Sequence, residues 1–176
     1  MIIPEAYQLN DDSRDAFYGS YDFEKTAQQA ILETQKLKRA VGKLVLKEKQ
    51  QVAYTQSASF TVSYNVPKSF NVATGSTRSA DVHAVTANDQ NLAGNADSQD
   101  YTIFYDYIFA TTGDGGYSIS GLSLTGEDSQ GATFTKDGIP TLPVHQNKRT
   151  IVSGSHMLVE PLPARPCVTL ATKITN

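Results

Sequence analysis

The chain has 176 residues, 39% hydrophobic and 19% charged, a size and apolar content that fit one ordinary domain or two very small ones, and it is read as a single domain, residues 1–176. Fifteen basic against eighteen acidic side chains leave a formal net charge of −3 with no sustained block of either sign, which argues against nucleic acid as the main partner. The single cysteine, Cys167, excludes an internal disulfide framework. The longest apolar stretch, Tyr101 to Ala110, is interrupted by Asp106 and falls well short of the roughly 20 residues that a membrane-spanning helix needs.

Residues 1–22 are mixed polar and aromatic, and they read as a loosely structured N-terminal segment. Asn10-Asp11-Asp12-Ser13 marks a turn, and Ala16-Phe17-Tyr18 beside Gly19 marks a buried anchor. The N-terminus lacks a basic region followed by a long apolar core, so it is not a secretory signal. The chain is therefore expected to be cytoplasmic or trimmed.

From Asp22, a candidate N-cap, Phe23, Ala27, Ala30 and Ile31 fall at helical spacing. Leu37, Ala40, Val41, Leu44 and Val45 follow, but Gly42 interrupts them and Lys43 to Lys47 also reads as a short strand with basic ends. The better reading is a turn of helix around Arg39 and then a strand. The clearest strand is next: Phe60, Val62, Tyr64 and Val66 share one face, and Thr61, Ser63 and Asn65 the other. Pro67 closes it, and Thr74-Gly75-Ser76 is a turn. Residues 76–100 are rich in Ser, Asn, Asp and Ala, with Val82, Val85 and Leu92 as apolar landmarks. They read as a long loop with one short element at most.

Tyr101 to Ala110 is apolar at almost every position and suits a central strand buried on both faces. Gly113-Asp114-Gly115-Gly116 then supplies a tight connection to the alternating run Tyr117 to Leu124, so the two runs form an expected β-hairpin. A turn at Gly126 to Gly131 precedes a short strand at Ala132 to Thr135, Pro140 and Pro143 flank an extended link to His145, and Arg149 to Val152 is strand-like again. Gly154-Ser155-His156-Met157 is identical to an expression-tag remnant and reads either as an engineered junction or as a strand running on through Met157-Leu158-Val159. Val168, Leu170, Thr172 and Ile174 alternate after a proline-rich stretch. Roughly seven short strands with one short helix or helical turn indicate an all-β sandwich.

Residues able to carry chemistry are scattered. His83, His145 and His156 lack the close spacing that sets two imidazoles on one face, so no metal is assigned. Cys167 follows Pro166 at the start of an apparent strand, where a small buried side chain is the commoner role than a nucleophile. Asp97, Asp100, Asp114, Glu127 and Asp128 supply carboxylates, but no spacing fixes a catalytic pair. Gly113-Asp-Gly-Gly lacks the Lys-Ser/Thr and the helix of a phosphate loop. Tyr101, Phe104, Tyr105, Tyr107 and Phe109 make either a core strand or a sugar-stacking platform. The pairs Lys38-Arg39 and Lys148-Arg149 suit an anion, a trypsin-like cleavage point or a solvated strand end. No catalytic, metal or cofactor-binding residue is assigned, and no enzyme activity is expected.

Three blocks, read in order, resemble recurring segments of Bacteroidales fimbrillin-like proteins: Leu37-Lys-Arg-Ala-Val-Gly-Lys-Leu-Val-Leu, Val66-Pro-Lys-Ser-Phe-Asn-Val-Ala-Thr-Gly, and Pro143-Val-His-Gln-Asn-Lys-Arg-Thr-Ile-Val-Ser-Gly. Ala16-Phe17-Tyr18-Gly19 fits the same pattern, and the likeness spans residues 15–154. It implies a transthyretin-like β-sandwich, display at the cell surface or outer membrane, and a structural or adhesive role in a fimbrium, with other pilus subunits as partners through donor-strand exchange. The alternative is a monomeric surface module that binds a carbohydrate or host protein. The family's lipoprotein signal and lipid-bearing cysteine are absent, so on this reading the chain is truncated at its N-terminus. The alternating run Val168 to Ile174 is of the right kind for a donor strand or for the last core strand.

Overall fold

The computed structural model describes residues 1–3, 7–22, 34–51, 54, 57–78, 82–90, 92, 101–128, 131–157 and 171–175. Fourteen strand segments organise it: β1 (Phe17–Tyr18), β2 (Lys38–Arg39), β3 (Val41–Glu48), β4 (Ser57–Pro67), β5 (Phe70–Asn71), β6 (Ser76–Thr77), β7 (Val82–Gln90), β8 (Thr102–Phe109), β9 (Tyr117–Ile119), β10 (Ser123–Asp128), β11 (Thr133–Lys136), β12 (Leu142–Val144), β13 (Arg149–Gly154) and β14 (Ala171–Thr175). The fold is all-β and sandwich-like. One sheet has the order β11-β10-β4-β7 and the other β14-β13-β3-β8, so eight strands rather than seven build the two layers. Every pair in them is antiparallel except β13 with β3. Short ribbons β1-β2, β5-β6 and β9-β12 complete it.

The core lies between the two sheets. The period-two reading of β4 holds: Phe60, Val62, Tyr64 and Val66 are buried and Asn65 is exposed. Phe60 and Tyr64 stack on Phe104 of the facing sheet, with ring centroids 5.9 and 6.0 Å apart. Leu44, Leu46, Leu124, Ile108 and Val152 fill the same layer, and each such side chain contributes about 1.5–3 kcal/mol on leaving water.

Several expectations change. Residues 38–39 form strand β2, paired with β1 through Phe17↔Arg39, instead of a helical turn. Gly42 therefore serves a strand, and it is small for a reason: a Cβ there would lie 2.4 Å from the carbonyl oxygen of His145. The close approach lets Lys43 N donate to Lys148 O and Asn147 N to Val41 O, both at 3.0 Å. The expected helix from Asp22 to Ile31 lies beyond the described residues from position 23 onward. Helix among the described residues includes two 3-10 turns, Asp12–Arg14 and Gly113–Gly115.

Of the expected buried anchor Ala16-Phe17-Tyr18, Phe17 is 46% exposed, whereas Ala16 and Tyr18 are half-buried and Tyr18 packs edge-on against Phe70, with centroids 4.8 Å apart. The expected loop at 76–100 holds the nine-residue strand β7 along β4. A strand at a sheet edge needs one modestly apolar face, and Val85 with Ala87 suffices. The expected β8–β9 hairpin does not form. After the Gly113–Gly115 turn only the single bridge Thr111↔Gly116 joins the two runs, while β9 pairs with β12 and β8 with β3. Strand β10 runs to Asp128, past the start of the expected turn at Gly126. Strand β13 stops at Gly154 and does not continue through Met157.

Candidate functional site

The edges of the second sheet differ from each other. Strand β8 was expected at the sheet centre, but it is an edge strand. The N-terminal segment covers its open side: Asn10 N donates to Tyr105 O at 3.0 Å, Tyr105 N donates to Asn10 Oδ1 at 2.9 Å, and Arg14 Nη2 donates to Tyr107 O at 3.1 Å. Asn10 reaches this position with φ of 61°, which asparagine tolerates better than most residues. At the opposite edge β14 pairs with β13 over five residue pairs, from Arg149↔Thr175 to Ser153↔Ala171. The C-terminal strand is thus held on one side only in the described sheet order.

Two buried carboxylates hold the elements that frame these edges. Asp106, on the inner face of β8, accepts from Tyr7 Oη and Tyr64 Oη at 2.6 Å each and from Arg14 Nη1 at 2.5 Å. Burial pushes its carboxyl above the usual range while Arg14 and both hydroxyls oppose that shift. Burial with Asp106 pushes both tyrosines up, so they stay protonated donors. The arrangement joins the two sheets and the N-terminal segment in one polar knot.

Glu48, at the end of β3 and 2% exposed, is the second. Its Oε1 accepts from Lys49 N and Gln50 N at 2.8 and 2.9 Å, and its Oε2 from His156 N and Met157 N at 2.6 and 2.9 Å. The carboxylate therefore clasps the backbone where the chain leaves β13 toward β14. His156 is buried beside it with Nε2 unpartnered among the described residues. Burial, with Lys136 and Lys49 adding, lowers its pKa to about 4.

The outer face of the same sheet is basic and tyrosine-bearing. Lys43 Nζ donates to Asp12 Oδ1 and Tyr107 Oη at 3.1 Å each and lies 3.8 and 4.7 Å from the Tyr105 and Tyr107 ring centroids. Arg39 forms a two-point pair with Asp15 at 2.7 and 2.8 Å and donates to Asn147 Oδ1 at 2.7 Å. Its hydrogen bond to Asp15 raises the guanidinium further. A cleft of about 790 Å³ opens beside it, walled by Phe17, Leu37, Thr112, Asp114, His145 and Lys148, among others.

A family model described as a family of unknown function, DUF6562, matches residues 1–161. The chain belongs to that family. No curated protein and no solved structure matches it. The DUF6562 match takes in both sheets up to the Glu48 clasp and ends before β14.

In this DUF6562 member the histidines singled out by sequence lie apart in the fold. His83 stacks on Tyr7 with centroids 5.5 Å apart, His145 lines the cleft, and His156 is buried. No three His, Cys, Asp or Glu side chains among the described residues are grouped to hold a metal ion. Asp114 and Glu127 are exposed. Asp97, Asp100 and Cys167, and the side chain of Asp128, lie outside the described residues. Phe104 and Phe109 are core, whereas Tyr105 and Tyr107 are half-buried on the outer face. Lys38, Arg39, Lys148 and Arg149 do come together there. Sequence reasoning missed Arg14 and Tyr64 as partners of Asp106, and Glu48 as the clasp of His156 and Met157, because those partners are distant in sequence. The one available signal was Asp106, a carboxylate inside an otherwise apolar run. No helix among the described residues is long and apolar enough to cross a membrane.

Proposed function

We propose that this chain is a structural or adhesive subunit of a cell-surface fimbrium, assembling with other pilus subunits by β-strand complementation at the β13 edge. The observation that carries the reading is the placement of β14, a C-terminal strand paired with β13 alone in the described sheet order. An edge strand of this kind supplies a row of main-chain donors and acceptors, and a like strand from a neighbour can occupy the same seat. The blocks resembling the fimbrillin-like family support it, since Leu37 to Leu46 spans β2 and most of β3, and Pro143 to Gly154 spans most of β12 and all of β13. Of those strands β13 is the one that β14 pairs with, and β3 flanks β13 on its other side. Display at the cell surface or outer membrane follows from the same resemblance.

A solitary glycan-binding module that stacks sugars on Tyr105 and Tyr107 is less well supported, because Lys43 Nζ already stands over both rings. The test uses the full chain with a fluorescent peptide of residues 168–176. Sequence-specific incorporation that a scrambled peptide fails to reproduce is the expected result. A chain that takes up neither peptide and stays monomeric at high concentration contradicts the proposal.

A further inference from the structure

Three depressions run into one another, from the cleft beside β2 onto the outer face of the β14-β13-β3-β8 sheet. The cleft of about 790 Å³ shares Arg39, Asn147 and Lys148 with a second depression of about 180 Å³. The second shares Lys43 and Arg149 with a third of about 200 Å³, which reaches Lys47. Six cations, Lys38, Arg39, Lys43, Lys47, Lys148 and Arg149, therefore line one track on a chain whose net charge is −3. The sheet register sets part of the spacing, with Arg149 opposite Lys43 and Lys43 opposite Tyr107 on strands about 4.8 Å apart.

Two of these cations are pre-organised and two are uncommitted. Asp15 fixes the Arg39 guanidinium and Asp12 fixes the Lys43 ammonium, so neither has to be ordered when a ligand arrives. The side chains of Lys148 and Arg149 have no ion-pair or hydrogen-bond partner among the described residues. Ordered and free positive charge thus meet at the middle depression, which has room for one sulfate, phosphate or carboxylate group.

We propose that this track binds a linear anionic glycan, a polysaccharide bearing sulfate or carboxylate groups along its length. A run of connected depressions suits an extended polyanion better than a single small anion. The walls suit a sugar: Thr112, Asp114, His145 and Asn147 offer hydrogen-bonding groups beside the cations. This inference stands apart from strand exchange, since it uses the outer face of the sheet and not its edge.

The test titrates the full chain with dextran sulfate and with polygalacturonate, using neutral dextran, poly-glutamate and a DNA duplex as comparisons, at about 50 mM salt. Binding of at least one of the two acidic polysaccharides is expected, with neutral dextran inert. The variant pair Lys148→Gln and Arg149→Gln should weaken it about tenfold or more, while Lys68→Gln, an exposed lysine after β4, should leave it within about twofold. Arg149→Gln alone, at an exposed side chain, should give a partial loss, so the prediction survives any folding defect of the pair. Backbone amide shifts on titration should cluster at residues 39, 43, 107 and 147–149. An equal loss from Lys68→Gln, binding of poly-glutamate or DNA as tight as that of the polysaccharides, or no polysaccharide binding would each overturn the proposal.

Discussion

Arg14 Nη1 meets Asp106 Oδ1 across 92 positions of sequence, with 8% and 0% of the two side chains exposed. The pair ties the N-terminal segment to β8, so the edge that this segment covers is closed by a charge-assisted contact as well as by backbone hydrogen bonds. Replacing Asp106 with Asn keeps the shape but strands the guanidinium in a dry setting. Asp106→Asn is expected to cost about 3–5 kcal/mol, the range for breaking one side of a buried ion pair. Urea unfolding measures it, and a loss below about 1 kcal/mol would show that the pair is dispensable.

Glu48 governs the other edge. Its two oxygens accept four backbone N–H groups, two of them at His156 and Met157, and a glutamine would place an amide NH₂ where one oxygen now accepts two donors. Glu48→Gln should destabilise the chain by about 2–4 kcal/mol. Under strand complementation it should also speed uptake of the 168–176 peptide, because the backbone leading to β14 loses its anchor. Hydrogen exchange at residues 155–157 reports the release, and unchanged protection there would remove Glu48 from this role.

The sheet layers were legible in the sequence where alternation was strong, as in Phe60 to Val66, and as short strand-like runs at Lys43 to Lys47 and Arg149 to Val152. Burial was legible in Tyr101 to Ala110, but the hydrogen-bond order was not. An apolar run reports that both faces are covered, whereas the neighbours at its edges depend on pairing across long separations, here β3 and Asn10. Strand β7 was hidden because its polar positions resemble loop chemistry. Gly42 was misleading for a related reason: a glycine inside a run lowers helix and strand propensity alike, and only the approach of the His145 carbonyl explains it. The basic track was visible as two pairs, Lys38-Arg39 and Lys148-Arg149, but their meeting with Lys43 required the β13–β3 register.

Gly42 supports a direct test of that packing. An added methyl would collide with the His145 backbone oxygen at 2.4 Å and with Val144 Cγ1 at 2.7 Å. Gly42→Ala should therefore cost about 1–3 kcal/mol through overpacking, and it should displace residues 145–148 along with the mouth of the cleft. A neutral or stabilising effect in thermal unfolding would contradict the close approach.

His156 sets a pH dependence whose sign is fixed. Its pKa falls from an ordinary 6.5 to about 4 on folding, so between those values the unfolded chain binds more protons than the folded one. Stability from this group is complete above about pH 6.5 and declines as pH falls toward 4, by up to about 3 kcal/mol. Lys136 and Lys49 act in the same direction, and the Glu48 carboxylate faces the backbone of the same residue. His156→Gln should flatten the stability profile in that window, and an unchanged slope in the variant would assign the dependence elsewhere.

The claim that the chain builds a surface filament is met most directly by immunogold electron microscopy of the producing cells, with an antibody raised against this chain. Gold on thin filaments at the cell surface is expected, along their length for a stalk subunit or at their ends or bases for a tip or anchor. Label confined to the cell interior, or spread over the surface with no filaments, would contradict it.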